Sequence, residues 1–168
     1  MSSNPAATAS GAAVRTHRPP PPLVALLREG MADPEGRLTL LGAAAAAVLL
    51  ATMFASNILH FLTVWATDEN YSHGFLVPLI TLYFANEAAR RGPIAEEDGT
   101  RLGVALIVTS ILGRLATIAV PVGFVGDLSL VLGLAGVVAL LFGRGALRRF
   151  GFSIGFLNFM IPLPIALY

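Results

Sequence analysis

From Leu38 to Trp65 the chain carries no Asp, Glu, Arg or Lys. As an α-helix rising 1.5 Å per residue this stretch is roughly 40 Å long, enough to cross a hydrocarbon layer of about 30 Å with tilt. It is also longer than the core elements of a small soluble domain need to be. Composition points the same way. Only 12% of the 168 residues are charged and 55% are hydrophobic, whereas soluble domains are about a quarter charged. There is too little polar surface to cover a globule in water.

Four more apolar segments follow. Gly74 to Ala85 is short, and reaches a spanning length only with its polar ends from Tyr71 to Ala88. Pro78 is expected to kink it, which a membrane helix tolerates when neighbours satisfy the freed carbonyl. Leu102 to Phe124 contains Arg114 and, near its end, Pro121. Leu128 to Phe142 is the fourth segment. Phe150 to Tyr168 starts a fifth, interrupted by Pro162 and Pro164. Glu87–Arg101 forms a polar loop and Gly143–Arg149 a short basic one. The expected fold is therefore all-α: a polytopic membrane helical bundle of about five transmembrane segments, the last incomplete. Residues 1–37, rich in Ala, Ser and Pro and containing the run Pro19–Pro22, are expected to form a disordered tail, in which Leu23–Arg28 can form a short interfacial turn of helix. Residues 38–168 are expected to form the membrane domain.

The basic residues set an orientation. The chain has no lysine, and its eleven basic residues are all arginine. Arg15, Arg18, Arg28 and Arg37 precede the first span. Arg90, Arg91 and Arg101 lie after the second, and Arg144, Arg148 and Arg149 after the fourth. The intervening loop Ala66–Ser72 has no arginine and carries Asp68 and Glu69. Arginine bias in short loops marks the cytoplasmic side, so the N-terminus is expected in the cytoplasm and the 65–72 loop outside. A re-entrant 74–85 segment would put the acidic and arginine-rich loops on one face, so the spanning reading is favoured.

Chemistry-bearing residues concentrate at that outer loop. Asp68, Tyr71 and His73 lie within six residues of one another at a membrane boundary, where partial desolvation sharpens hydrogen bonds. Ser72 is placed to cap the second helix. Ser72 and His73 do not make a nucleophile–base pair, because neighbouring side chains at a helix start point apart. The simpler reading makes Trp65 and Tyr71 interfacial anchors and the carboxylates mere solvation of a turn. Arg114 is a charge inside a span, which is expensive and calls for a partner; Asp68 and Asn57 are the candidates. With no cysteine and three scattered histidines, His17, His60 and His73, there is no metal-ligand set. No cofactor and no nucleic acid is expected as a partner, only membrane lipid and a possible protein substrate.

The string Trp65-x-x-Asp68-x-x-Tyr71-Ser72-His73-Gly74-Phe75-Leu76-Val77-Pro78-Leu79 resembles the N-terminal signature of the exosortase/archaeosortase family. Phe156-Leu157-Asn158-Phe159-Met160-Ile161-Pro162-Leu163-Pro164 is similar to that family's second motif. The resemblance covers about Leu38 to the C-terminus. It implies a polytopic enzyme of the bacterial or archaeal cytoplasmic membrane with about eight spans. Such enzymes process proteins that bear a C-terminal sorting signal of the PEP-CTERM type: a short motif, a transmembrane helix and a basic end. Their proposed chemistry is that of a cysteine peptidase or transpeptidase acting at the outer face, with Arg and His completing the site.

The family's Cys, Arg and His follow the second motif, and this sequence has no cysteine at all. No catalytic residue carries over to it. What the resemblance transfers is the substrate-region signature, namely Trp65, Asp68, Tyr71, Ser72, His73, Gly74 and Pro78, and the second motif with Phe156, Phe159, Pro162 and Pro164. The expectation is a truncated or separately completed portion of an exosortase, inactive by itself. The alternatives are a non-catalytic membrane accessory or scaffold protein, and a small channel or transporter component built on Arg114.

Overall fold

The computed structural model describes residues 23–119 and 123–162, and among them there are helices and no strand. The expected tail over Met1–Pro22, Pro121, Pro164 and the segment after Pro162 lie outside the described residues. The chain runs through α1 (Leu23–Ala32), α2 (Pro34–Met53), α3 (Ala55–Thr67), a 3-10 segment (Glu69–Phe75), α4 (Leu76–Ala89), α5 (Thr100–Ala119), α6 (Gly123–Phe156) and a second 3-10 segment (Leu157–Met160). This is the all-α membrane bundle that the apolar runs dictate. Three helices, Pro34–Met53, Thr100–Ala119 and Gly123–Met160, are long and apolar enough to cross a membrane.

Several boundaries differ from the sequence expectation. Residues 23–37, assigned to the tail, are helical apart from Asp33. Asp33 caps α2: its backbone is extended, and its carboxylate accepts the Gly36 N–H at 3.0 Å. Pro34 supplies the first helical residue, where its missing N–H is no loss, and Glu35 sits favourably in the first turn. The Asp-Pro-Glu-Gly stretch starts a helix as well as ending one.

The first apolar segment is two helices. Phe54 (φ −105°, ψ 19°) separates α2 from α3, and its side chain is fully buried. Pro78 kinks nothing. It stands in the first turn of α4, where backbone N–H groups lack intrahelical acceptors in any case. Nor is Gly143–Arg149 a loop. Only Gly143 leaves helical geometry, at φ 81°, ψ 173°, a left-handed conformation that favours glycine. The Glu97 carbonyl occupies the space that a Cβ would take and accepts the Arg144 N–H at 3.1 Å. Residues 144–156 then continue as helix.

Contacts around Gly143 show that the chain reverses there. Gly99 lies against Ala139 and Arg144, and Gly145 against Ala95. The limb 123–142 runs antiparallel to α5, with Gly103 against Leu140, Gly136 against Ile107 and Gly133 against Ser110. Small residues let two backbones approach without a hydrophobic drive from solvent. Ser110 donates to the Ser129 carbonyl at 2.6 Å across this seam. The limb 144–156 runs antiparallel to α4, with Phe84 edge-on to Phe152 (5.0 Å) and Phe156 (5.3 Å).

The bundle thus has two distinct ends. At one, Arg149 donates to the carbonyls of Ala88 (3.3 Å), in the last turn of α4, and of Gly92 (3.0 Å) and Pro93 (2.9 Å), just beyond it. Arg148 pairs with Glu97 at 2.9 Å, and the Leu23 N–H reaches Asn86 Oδ1 at 3.1 Å. There too Asp98 caps α5. Hydrogen bonds from the Thr100 hydroxyl (2.7 Å) and N–H (2.9 Å) hold its carboxyl below the usual range. The opposite end carries the two sequence motifs.

Candidate functional site

The two motifs meet. Trp65, in the last turns of α3, donates its indole N–H to the Met160 carbonyl at 3.0 Å, across 95 residues of chain. Its ring stacks on Phe61 (5.8 Å, 10°) and meets Phe75 edge-on (5.3 Å, 72°). Phe61, Trp65, Val77, Val131, Ile154, Met160 and Ile161 form one buried cluster. Trp65 is 7% exposed, so it is the peg of this junction and not an interfacial anchor. Gly74 is required beside it, because a Cβ there would overlap the indole ring. Val77, in the first turn of α4, completes the cluster.

The polar residues of the signature organise the turn that carries Gly74. Asp68 terminates α3 in an extended conformation and caps the 3-10 segment, its Oδ1 accepting the Asn70 N–H (2.9 Å) and side-chain amide (3.0 Å). The Tyr71 N–H bonds the Asp68 carbonyl at 3.1 Å. Ser72 does not cap α4 with its side chain: its hydroxyl donates to the Glu69 carbonyl at 3.0 Å within the same turn. Tyr71 and His73 approach with ring centroids 6.3 Å apart, Tyr71 half-buried and His73 exposed. In the second motif, Phe156 contacts Phe84 and Phe159, Phe159 is 67% exposed, and Pro162 is half-buried. Phe75 and Phe159, both largely exposed, therefore flank the buried Trp65–Met160 link.

Arg114 pairs with neither Asp68 nor Asn57. Its guanidinium donates from Nε to the Met53 carbonyl (3.3 Å), from one terminal nitrogen to Thr117 Oγ1 (3.1 Å) and from the other to Ser56 Oγ (3.0 Å). It lies 6.0 Å from the centre of the Phe54 ring. Met53 and Ser56 flank the break at Phe54, beside which the Met53 carbonyl is left to accept from Arg114. Asn57 instead donates to Asp127 Oδ1 at 2.7 Å. Asp127 was legible only as a turn residue between spans, yet it is 4% exposed within α6. These groups line an open recess of about 350 Å³ together with His60 and Gly123. Ser56, Thr117 and Asp127 are the site residues that sequence reasoning passed over. The available signal was a carboxylate one residue before an apolar run, with no basic neighbour nearby.

Among the described residues no group of His, Cys, Asp and Glu is placed to hold a metal ion. A family model described as transmembrane exosortase matches residues 65–168. No curated protein matches the chain. No solved structure does either.

Proposed function

The chain belongs to the transmembrane exosortase family, and we propose that its Trp65–Met160 junction receives the C-terminal sorting signal of a membrane-anchored protein substrate. The observation that carries this reading is the 3.0 Å bond itself, which makes one surface of two distant motifs inside the matched region. Exposed Phe75 and Phe159 on either side give that surface apolar anchors for a membrane-embedded helix, and exposed Ser72 and His73 give it polar contacts for the short motif outside.

The end that gathers Arg148, Arg149 and the 90–101 segment is cytoplasmic by arginine bias. That orientation brings the junction to the outer face of a bacterial or archaeal cytoplasmic membrane, where a secreted substrate arrives. The family's peptidase or transpeptidase step needs a cysteine thiolate, and these 168 residues hold none. The role we assign to these residues is therefore reception of the signal rather than its cleavage.

Photo-crosslinking tests reception. A benzophenone amino acid is placed at Phe75 or Phe159, and at Leu49 on α2 as an exposed control. The chain is co-expressed with a reporter ending in a short motif, a transmembrane helix and a basic tail. Crosslinks from Phe75 and Phe159, lost when the reporter's motif is scrambled, are expected. Equal labelling from Leu49, or labelling indifferent to the motif, would refute the proposal.

A further inference from the structure

The Arg114 recess holds a charge that no carboxylate neutralises at contact distance. Arg114 makes no ion pair among the described residues. The one carboxylate in the recess, Asp127, is engaged by Asn57 at 2.7 Å. Three of the five guanidinium N–H groups are directed to Met53, Thr117 and Ser56, which fixes the plane of the fork. Each terminal nitrogen keeps one further N–H. The recess that Arg114 lines has room, about 350 Å³, and further hydrogen-bonding groups in Ser56, Thr117 and His60.

A half-buried guanidinium whose plane is fixed in this way selects a planar or tetrahedral oxyanion by hydrogen bonds from its remaining N–H groups. An uncompensated cation among membrane helices is costly, which gives such an anion a further drive to bind. The surface next to the recess indicates the anion's carrier. Leu115 and Ile118, which follow Arg114 and Thr117 in sequence, are 53% and 76% exposed, and Phe124, Val125 and Leu128, which neighbour Gly123 and Asp127 in sequence, are also exposed. This is bilayer-facing surface beside a polar pit. It fits a headgroup in the pit and acyl chains along the helices.

From this geometry we infer that the recess of Arg114, Ser56 and Thr117 is a binding site for the phosphodiester of an anionic phospholipid.

The test uses the full chain in detergent micelles doped with phosphatidylglycerol or with diacylglycerol of the same acyl chains, which lacks the phosphodiester, read by native mass spectrometry and thermal unfolding. One retained phosphatidylglycerol per chain is expected, with at least tenfold less diacylglycerol, and a melting temperature that rises with phosphatidylglycerol. Arg114→Gln is expected to lower retention about tenfold and to abolish the rise. Because that variant also loses the bond to Met53, a second one keeps the test decisive. Ser56→Glu places a carboxylate beside the guanidinium, so the chain should remain folded with a melting temperature no lower than the parent's, yet lose the lipid. Retention of phosphatidylglycerol by either folded variant overturns the inference, as does equal retention of the two lipids. Displacement of the lipid by millimolar inorganic phosphate would keep the oxyanion site and assign it to the soluble ion; displacement by a peptide carboxylate but not by phosphate would overturn it.

Discussion

Gly74→Ala is the sharpest perturbation of the motif junction, because the added methyl lands on the Trp65 indole itself, overlapping Nε1 and its neighbours. The indole has little room to yield. It is 7% exposed, stacked on Phe61, edged by Phe75 and tied to Met160. Overpacking of this kind costs about 1–3 kcal/mol. Displacing the ring also lengthens or breaks the Trp65–Met160 bond, worth about 0.5–1.5 kcal/mol. Against these stands the better helix propensity of alanine, at most about 1 kcal/mol. Steric overlap wins, and a net loss of about 1–3 kcal/mol is expected, or a fall in melting temperature of about 3–10 °C for a chain of this size.

The assay is built into the protein, since Trp65 is its single tryptophan. In detergent, Gly74→Ala should red-shift the emission and raise quenching by acrylamide, in step with the lower melting temperature. Gly151→Ala is the control, because a Cβ there meets no atom within 4 Å and the position is helical. It should be neutral or slightly stabilising. Unchanged emission and melting in Gly74→Ala, or equal effects at Gly74 and Gly151, would refute the account of the junction.

Other substitutions probe the remaining joints. Asp127→Ala removes the acceptor of the Asn57 amide and should cost about 1–3 kcal/mol in thermal unfolding, whereas Asp127→Asn keeps an acceptor oxygen and should be near neutral. Gly143→Ala forces a non-glycine residue to φ 81° and drives its methyl into the Glu97 carbonyl. It should cost at least about 1–2 kcal/mol and speed limited proteolysis within residues 90–99. Asp98 has its carboxyl pKa lowered by Thr100, so its contribution to the α5 start is present above the unfolded carboxylate range, near pH 4, and is lost as pH falls through the lower folded value. Amide exchange at the first turn of α5 should therefore be faster in Asp98→Asn than in the parent at pH 6, with the difference shrinking as pH is lowered below the ordinary carboxylate range.

The bundle class was readable because it rests on a property that no packing detail overrides. Uncharged runs such as Leu38–Trp65 have nowhere to go but lipid or a core larger than this chain can build. The signature was readable as a string, and Gly74 within it as a fixed position. Its physical meaning was not, since the contact that requires a glycine comes from Trp65 nine residues earlier and the contact that fixes Trp65 comes from Met160. Helix ends failed where one side chain decides them. Asp33 and Pro34 are breakers to the preceding helix and starters to the next, and only the chain's direction through α1 and α2 separates the roles. Arg114 announced itself as a charge needing a partner, but its partners are a carbonyl, Met53, and two hydroxyls, on Ser56 and Thr117. Such neutral acceptors leave no mark in a charge pattern.

The break at Phe54 links these two levels. Both limbs of α6 leave Gly143 for the motif end, one reaching back to Asp127 and the other on to Met160, each in about sixteen residues or roughly 24 Å of helix. α3 is fastened to both, at Asn57 by Asp127 and at Trp65 by Met160, eight residues or roughly 12 Å apart. An unbroken helix from Leu38 to Trp65 would instead carry Trp65 some 16 Å past Phe54 along the axis of α2. By separating α3 from α2, Phe54 lets α3 reach from the α5–α6 hairpin to the α4–α6 pair, and Arg114 fastens the point of departure through Met53 and Ser56. The intramembrane arginine and the family signature, 49 positions apart in sequence, are therefore two supports of one short helix. Arg114→Gln is therefore expected to red-shift Trp65 emission although Arg114 bonds Met53, Ser56 and Thr117 and not Trp65, and unchanged emission in a folded variant would refute this link.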